Sequence, residues 1–405
     1  MKKTLIAVAA AAALATSSAF AEVTFGAWLR TVTGVGYNGE DAVTGMSNSW
    51  SGMRPSRLNA AWTSEDEMAG MKLDIYYNDD DIHIGDNGYL WLKPVDMLKL
   101  SIGKFDGAET GLRGDFCFGS WNWLRPFNWI ADDEGLTFNG SHKDGLMAAL
   151  TPVEGLTVMV QLPVFNSIWG GNNNAYVAET PTSDAENTIE DTFKNAAYLA
   201  AYQIEGVGKI KVGYFGNYKE GKNDEGKDTK DIGQLNVAFD LYAVENLYAT
   251  VGVRYNIFDY EEDANKDLVK VTAGVSYQIT DEFKVSVSGG VKLYDGDIDP
   301  QFGIGAGIDY ALMDGLALTA DVRFLSDYTG DYPKEAKEEK DASISFLVGV
   351  IKSVGSNASL GIGFQGATEG IGLANPDWAN GKGAIIPAEG DSFCWAIPVS
   401  MSIFF

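Results

Sequence analysis

The chain has 405 residues, 45% hydrophobic and 21% charged, with 47 Gly but only 11 Pro, a balance that excludes collagen, coiled coil and wholesale disorder. Acids outnumber bases 56 to 30, which argues against nucleic-acid binding, because neutralising phosphate requires the opposite excess. After the first 21 residues no run of eighteen apolar residues occurs, so helical crossing of a membrane is excluded too.

The chain opens with the three parts of a secretory leader: Lys2 and Lys3, the apolar run Leu5 to Leu14, and small residues ending in Ala19-Phe20-Ala21. Cleavage between Ala21 and Glu22 is expected, which divides the chain into a leader, 1–21, and one mature domain, 22–405. Loss of the two leader lysines leaves 30 − 2 = 28 bases against 56 acids, a balance of −28. No cysteine follows the cleavage point, so a lipid anchor at that position is not expected. Cys117 and Cys394, the two cysteines, would sit in an oxidising compartment where a disulfide is permitted but not required.

From Val23 onward the segments alternate apolar with small or polar residues, the period that puts one set of side chains on each face of a strand. Val269, Val271, Ala273, Val275, Tyr277 and Ile279 oppose Lys270, Thr272, Gly274, Ser276 and Gln278. The next segment repeats the scheme with Phe283, Val285, Val287, Val291 and Leu293 against Lys284, Ser286, Ser288, Gly290, Lys292 and Tyr294. A soluble sandwich shows the same alternation, so the connections must decide. Short turns recur at Ser64 to Ala69, Pro94 to Met97, Pro152 to Gly155, Glu205 to Gly208, Val244 to Asn246, Thr280 to Glu282, Met313 to Gly315 and Ser353 to Asn357. Longer polar connections lie between them, among them Asn78 to Gly88, Asn217 to Asp231, Asp259 to Asp267 and Asp327 to Asp341. Strict alternation of short and long connections is the pattern of an antiparallel up-and-down barrel crossing a membrane. Eight turns and nine loops join eighteen strands; sixteen is the alternative, because Leu136 to Leu150 and Ala196 to Ile204 are poorly patterned. With strands about 4.8 Å apart and tilted by about 40°, eighteen give a backbone radius of roughly 18 Å, too wide for side chains alone to fill.

The last segment, Phe393 to Phe405, alternates apolar residues and ends on an aromatic. It resembles the C-terminal assembly signal of bacterial outer-membrane barrels, and the chain as a whole, from leader through repeated hairpins to terminal Phe, resembles a porin. The resemblance implies an all-β transmembrane barrel in the bacterial outer membrane, in contact with outer-membrane lipid, whose terminal Phe405 is read by the barrel-assembly machinery. It also implies a homotrimer, a passive diffusion channel for small hydrophilic solutes with a sugar or anion preference, and no enzyme activity. Pro398 departs from the pattern and should leave a bulge or an unpaired site in the closing strand.

With the greasy face toward lipid, the other face carries Arg30, Arg57, Lys72, Lys93, Lys99, Lys209, Lys211, Arg254, Lys270, Lys284, Lys292 and Arg323 against Asp74, Asp240, Asp309 and Asp321. The wall reads as basic although the protein is acidic. Arg30, Arg57, Arg254 and Arg323, with Lys270 and Lys292, are candidates for contact with permeating solute. The third long connection, Asp106 to Glu134, holds Phe116, Phe118, Trp121, Trp123, Phe127 and Trp129 with Arg113, Arg125, Asp115, Asp132, Asp133 and Glu134. So many aromatics need a surface to pack on. In porins the third loop folds into the lumen, so Asp115, Trp121, Trp123, Arg125, Trp129, Asp132 and Asp133 are expected at a constriction, acids facing the arginine wall. An inward loop would also bring Cys117 toward Cys394 at the start of the last strand.

Catalytic and metal chemistry find no footing. His83 and His142 are the only histidines, and neither has triad or two-histidine spacing around it. Asp295-Gly296-Asp297-Ile298-Asp299 lacks the distal bidentate acid of a calcium loop, and no nucleotide fingerprint is present, so no cofactor is expected. The competing reading is a surface adhesin or structural outer-membrane protein whose barrel displays its long acidic loops.

Overall fold

The computed structural model describes residues 23–48, 57–78, 81–105, 145–163, 189–222, 226–261, 266–296, 298–326, 342–369, 373, 385–386, 389 and 392–405. In chain order the strands are β1 (Val23–Tyr37), β2 (Ala42–Asn48), β3 (Arg57–Thr63), β4 (Ala69–Asn78), β5 (Asp81–Val95), β6 (Leu98–Lys104), β7 (Gly145–Val153), β8 (Leu156–Pro163), β9 (Ala197–Ile204) and β10 (Gly208–Lys222). They continue as β11 (Asp228–Leu241), β12 (Leu247–Tyr260), β13 (Asp267–Gln278), β14 (Phe283–Tyr294), β15 (Gln301–Met313), β16 (Leu316–Leu325), β17 (Ser343–Val354), β18 (Ala358–Ala367) and β19 (Cys394–Phe404). Among the described residues one short helix, α1 (Ile189–Lys194), precedes β9.

Apart from β2 and β3, which both pair with β1, each strand pairs antiparallel with its sequence neighbours. β2 and β3 lie end to end along one edge of β1, with Thr31 opposite Asn48 and Val23 opposite Trp62. They count as one barrel strand, so the nineteen segments make 19 − 1 = 18 staves. The other edge of β1 pairs with β19 from Trp28↔Phe404 to Tyr37↔Trp395, which closes the barrel. The terminal residue belongs to that seam: the Ala27 N–H donates to the Phe405 carbonyl (2.9 Å) and the Phe405 N–H to the Ala27 carbonyl (3.1 Å).

The start of β1, the end of β19 and the eight short turns, 64–68, 96–97, 154–155, 205–207, 242–246, 279–282, 314–315 and 355–357, share one end of the barrel. The strand ends joined by the nine other connections lie at the opposite end. Gly155, Gly206, Gly315 and Gly355 take φ between 64° and 79° in four of the turns, and Asn246 (φ 63°) does so in a fifth; this left-handed conformation is why Gly or Asn recurs there. In the turn at 64–68 the Ser64 hydroxyl donates to Asp66 (2.6 Å), and this bond, with the Met68 N–H, holds the Asp66 carboxyl below its ordinary value.

Two expected loops are wall instead. β5 starts at Asp81 and runs through Gly88, and β10 and β11 extend to Lys222 and from Asp228, so much of 78–88 and 217–231 continues the hairpins. Above the membrane both faces of a strand meet water, so nothing there enforces alternation. Pro398 causes no bulge: pairing of β18 with β19 lapses between Ile362↔Val399 and Gln365↔Ala396 and resumes in the same register, because proline removes a donor without adding a residue.

The outer face is apolar and exposed. About thirty large aliphatic side chains on the strands, such as Leu90, Ile102, Val212, Val253, Ile304 and Ile362, are exposed, whereas Asp74, Gln161, Asn236, Thr272, Ser288 and Ser345 are buried on the inner face. At about 1 kcal/mol for each half-exposed aliphatic, water would cost this surface some 30 kcal/mol, more than a typical net stability, so the belt requires lipid. Aromatic residues edge the belt. Phe302 packs with Phe324 (5.8 Å between centroids) toward the loops, and Phe283 with Tyr310 (6.0 Å) toward the turns. Phe302 and Tyr310 lie eight residues apart on β15, which is about 26 Å along the strand and 20 Å along the axis at a tilt of about 40°.

Candidate functional site: the inner wall of the barrel

The inner wall has two sectors. From β5 to β11 it is largely apolar: Tyr89, Phe105, Met147, Met159, Ala197, Leu199, Ala201, Phe215 and Ala238 form one buried cluster, with Trp91 and Ala149 packed against it. These residues alternate with lipid-facing Leu146, Val158, Tyr198 and Ile210, so β7 to β9 are apolar on both faces. That is why the segments Leu136 to Leu150 and Ala196 to Ile204 read as poorly patterned. The first now begins as strand at Gly145.

From β12 round to β18 the inward residues are mostly polar: Thr250, Thr272, Ser276, Ser286, Ser288, Gln301, Thr319, Ser345 and Gln365 are all buried, with Leu325 and Leu347 among them. They are small or uncharged hydrogen-bonders, and the charges are set among them. Asp309 accepts from the Thr319 hydroxyl (2.7 Å). Asn256 Nδ2 donates to the Asp267 carbonyl (2.6 Å) and Gln234 Nε2 to Asn256 Oδ1 (2.8 Å).

The cations expected on the wall fall into distinct environments. Lys211 Nζ lies 2.6 Å from Asp240 Oδ2, with 0% and 2% of the two side chains exposed. Thr250 and Tyr242 also donate to that carboxylate, at 2.8 and 3.3 Å. Arg323 is fully buried, Nη2 3.4 Å from Asp321 Oδ2. Arg57 Nε approaches Asp74 Oδ1 at 3.9 Å, and Asn87 donates to the same acid at 2.7 Å. Lys99 sits 4.8 Å from the centroid of Trp91, and Lys93 5.6 Å from it. Arg30 occupies β1 opposite Ser402. Lys72 stands opposite Ala61 and Tyr89, and Lys284 opposite Asp309. Lys209 is half-buried beside Lys211.

Arg254, Lys270 and Lys292 form a continuous row. Arg254 is the direct cross-strand partner of Lys270, and Lys270 of Lys292. All three side chains are partly exposed, and Arg254 donates to Asp267 Oδ2 at 2.8 Å. Sequence reading named these residues singly; the register that aligns them depends on hairpin geometry and could have been counted from the turn between β13 and β14.

At the loop rim Lys266 reaches Asp231 Oδ1 (2.8 Å) and the Tyr260 hydroxyl. Burial works against its charge, but these bonds outweigh it and hold the ammonium above its ordinary value. Cys394 is a buried free thiol packed with Val32, Ala367, Leu373, Ile386 and Ala396. Phe405 is exposed on the outer face. Ala21, Glu22, Asp115, Cys117, Trp121, Trp123, Arg125, Trp129, Asp132 and Asp133 lie outside the described residues. Among the described residues no cluster of His, Cys, Asp and Glu could hold a metal ion.

A closed barrel of eighteen strands with an apolar belt and a polar inner sector is the geometry of a membrane channel. A sequence model described as Gram-negative porin matches residues 7–330. The chain belongs to the Gram-negative porin family. No curated protein matches the sequence significantly. Among solved structures the chain is similar to an anion-selective porin from Comamonas acidovorans, at 12% identity over 95% of this chain and 100% of that chain, with a TM-score of 0.53. It is also similar to the outer-membrane channel DcaP of Acinetobacter baumannii, at 10% identity over 96% and 99%, with a TM-score of 0.48. At such identities the likeness concerns the fold. The porin is a diffusion channel of the bacterial outer membrane.

Proposed function

We propose that this porin passes small hydrophilic solutes with a preference for anions, and that the segment Asp106 to Glu134 narrows its lumen. The observation that carries the preference is the partly exposed row Arg254, Lys270 and Lys292, on a wall where Asp240 is consumed by a buried lysine. What supports the narrowing is the apolar inner sector, whose residues Phe105, Ala197 and Phe215 are buried although they face a wide lumen. Apolar surface in a water-filled pore is costly, and the aromatics of 106–134 suit it. In this arrangement Asp115, Asp132 and Asp133 oppose Arg30 and Arg57, Arg125 lies among them, and Trp121, Trp123 and Trp129 offer faces to sugar rings.

The same reading includes removal of the leader before Glu22, recognition of Phe405 by the assembly machinery, assembly as a homotrimer, and no catalytic role. The test is conductance in a planar bilayer. Stepwise currents with chloride more permeant than potassium are expected. A barrel that inserts without steps would favour the display of loops as its function, and potassium preference would overturn the anion assignment.

A further inference from the structure

We infer that the connection between β18 and β19 is seated inside the barrel on its closing seam, as an inner brace that also sets the width of the lumen on that side. The narrowing rests on the channel reading above; the seat does not. A second buried core, separate from the cluster around Phe215, lies on the inner face where β18, β19, β1 and β2 meet. The wall supplies Val32, Ala367, Cys394 and Ala396, the connection supplies Leu373 and Ile386, and Val43 and Ile385 pack beside them. Leu373 and Ile386 are both 0% exposed. Two backbone bonds join them, from the Leu373 N–H to the Ile386 carbonyl (2.9 Å) and from the Ile386 N–H to the Leu373 carbonyl (3.2 Å). Aliphatic side chains buried against the inner wall make a packed second layer, because apolar surface facing a wet lumen is costly.

The wall is shaped for this seat. Val35 and Met46 are exposed on the outer face, so period two turns Gly34, Gly36 and Gly45 inward, and Gly34 stands opposite Gly45. A Cβ at Gly45 would collide with Ile385 Cγ2 and lie 2.5 Å from the Ile385 carbonyl oxygen; the close approach requires glycine there. At the loop rim a Cβ at Gly39 would lie 2.5 Å from the Glu389 carbonyl oxygen, and the Glu389 N–H donates to the Asn38 carbonyl at 2.8 Å. Asn38 Oδ1 accepts in turn from the N–H groups of Glu40 (3.0 Å) and Asp41 (2.7 Å), which fixes the turn that receives the brace. From Asn38 down to Val32 the seat covers six residues of β1, about 20 Å along the strand and 15 Å along the axis at a tilt of about 40°. It ties β1 and β2 to β18 and β19 beside the lapse in the β18–β19 ladder at Pro398. A layer packed face to face on a sheet lies about 10 Å from it, so over four strands it takes about a fifth of a lumen of roughly 18 Å backbone radius.

Cys394, at the bottom of this core, reports the seat. Cys117→Ser makes it the one thiol of the full-length chain. In folded Cys117→Ser, a membrane-impermeant methanethiosulfonate should label Cys394 far more slowly than in the urea-unfolded chain. Two further variants on that background unseat the brace, Gly45→Val by collision and Leu373→Asp/Ile386→Asp by burying carboxylates. In each the labelling rate should rise about tenfold or more, since thiol reactions follow access. Conductance in a planar bilayer should rise by about a fifth or more, measured in 1 M salt, where added charge is screened within about 3 Å. A heat-modifiable band on a gel establishes that each variant is folded. Labelling of folded Cys117→Ser at the unfolded rate, or labelling unchanged in both folded variants, overturns the seat. A thiol freed without a rise in conductance overturns the narrowing. Absence of any conductance overturns the channel reading, and the narrowing with it, while the labelling rates still decide the seat.

Discussion

The two sectors of the inner wall are built from the same hairpin and differ in what faces inward. Between β5 and β11 most inward side chains are apolar, as with Tyr89, Met147, Met159, Leu199 and Phe215; between β12 and β18 most are polar, as with Thr272, Ser286, Ser288, Ser345 and Gln365. Lipid sees no difference, because both sectors present Val, Leu and Ile outward. One sector is thus an inner packing surface and the other a lining of buried hydrogen-bonding groups. A barrel too wide to fill with side chains can divide its lumen in this way, giving part of the circumference to a core and the rest to a pathway.

The largest effect should come from exchanging the character of the sectors. Leu199→Asp puts a charge into the apolar cluster, where burial of an unpaired carboxylate costs several kcal/mol. Ser288→Asp adds the same charge to the polar sector. The first should lose most of its heat-modifiable folded form and the second should keep it. Equal yields would mean that water already reaches Leu199 and that the division does not exist.

Next in size is the charge pair at the boundary. Lys211→Ala strands Asp240 in a buried position and should lower stability by about 3 to 5 kcal/mol, while Lys211→Ala/Asp240→Ala should recover part of it. Lys270→Ala, in the partly exposed row, should change stability by less than about 1 kcal/mol. Urea midpoints of the porin in bilayers measure all three. Similar losses for Lys211→Ala and Lys270→Ala would show that the two cations share one environment.

How much of this could be read from the sequence differs by sector. Where the inner face is polar, as in β13 and β14, period two is visible and the strands, their faces and the residues Lys270 and Lys292 all follow from it. Where it is apolar, as in β7 and β9, inward Met147 and Leu199 look like outward Leu146 and Tyr198, so the signal that finds strands vanishes where the inner core lies. The turns stayed legible throughout because their Gly and Asn residues answer to backbone conformation, which does not depend on which face is wet. The pairing of charges was not legible. Nothing in sequence spacing brings Lys211 to Asp240 with Thr250, since the contact depends on hairpin register, and the same holds for the burial of Arg323.

A smaller effect concerns the closing seam. Phe405→Ala keeps the two backbone bonds to Ala27, whereas deletion of Phe405 removes them. If the aromatic ring is the assembly signal, both variants should lower assembled protein in the outer membrane with export intact. If only the seam bonds matter, Phe405→Ala should assemble normally.

The finest test joins the two sectors across the lumen. If Asp106 to Glu134 rests on the apolar sector, its carboxylates face the arginine side, and a solute crossing there passes between fixed charges of opposite sign. Arg30→Ala/Arg57→Ala should shift the permeability ratio toward cations, and Asp132→Asn/Asp133→Asn toward anions. Both shifts should shrink as salt rises, because charges in a wet pore are screened within about 8 Å at physiological ionic strength. The barrel should still assemble, since these changes place no charge in lipid. The Asp74 left by Arg57→Ala still accepts from Asn87 at 2.7 Å, which limits the cost of that variant. Reversal potentials that stay put in both double variants, with conductance otherwise normal, would separate the apolar sector from the constriction and leave its covering to some other segment. A shift in the arginine variant alone would locate the fixed positive charge and remove the acids of 106–134 from the pathway.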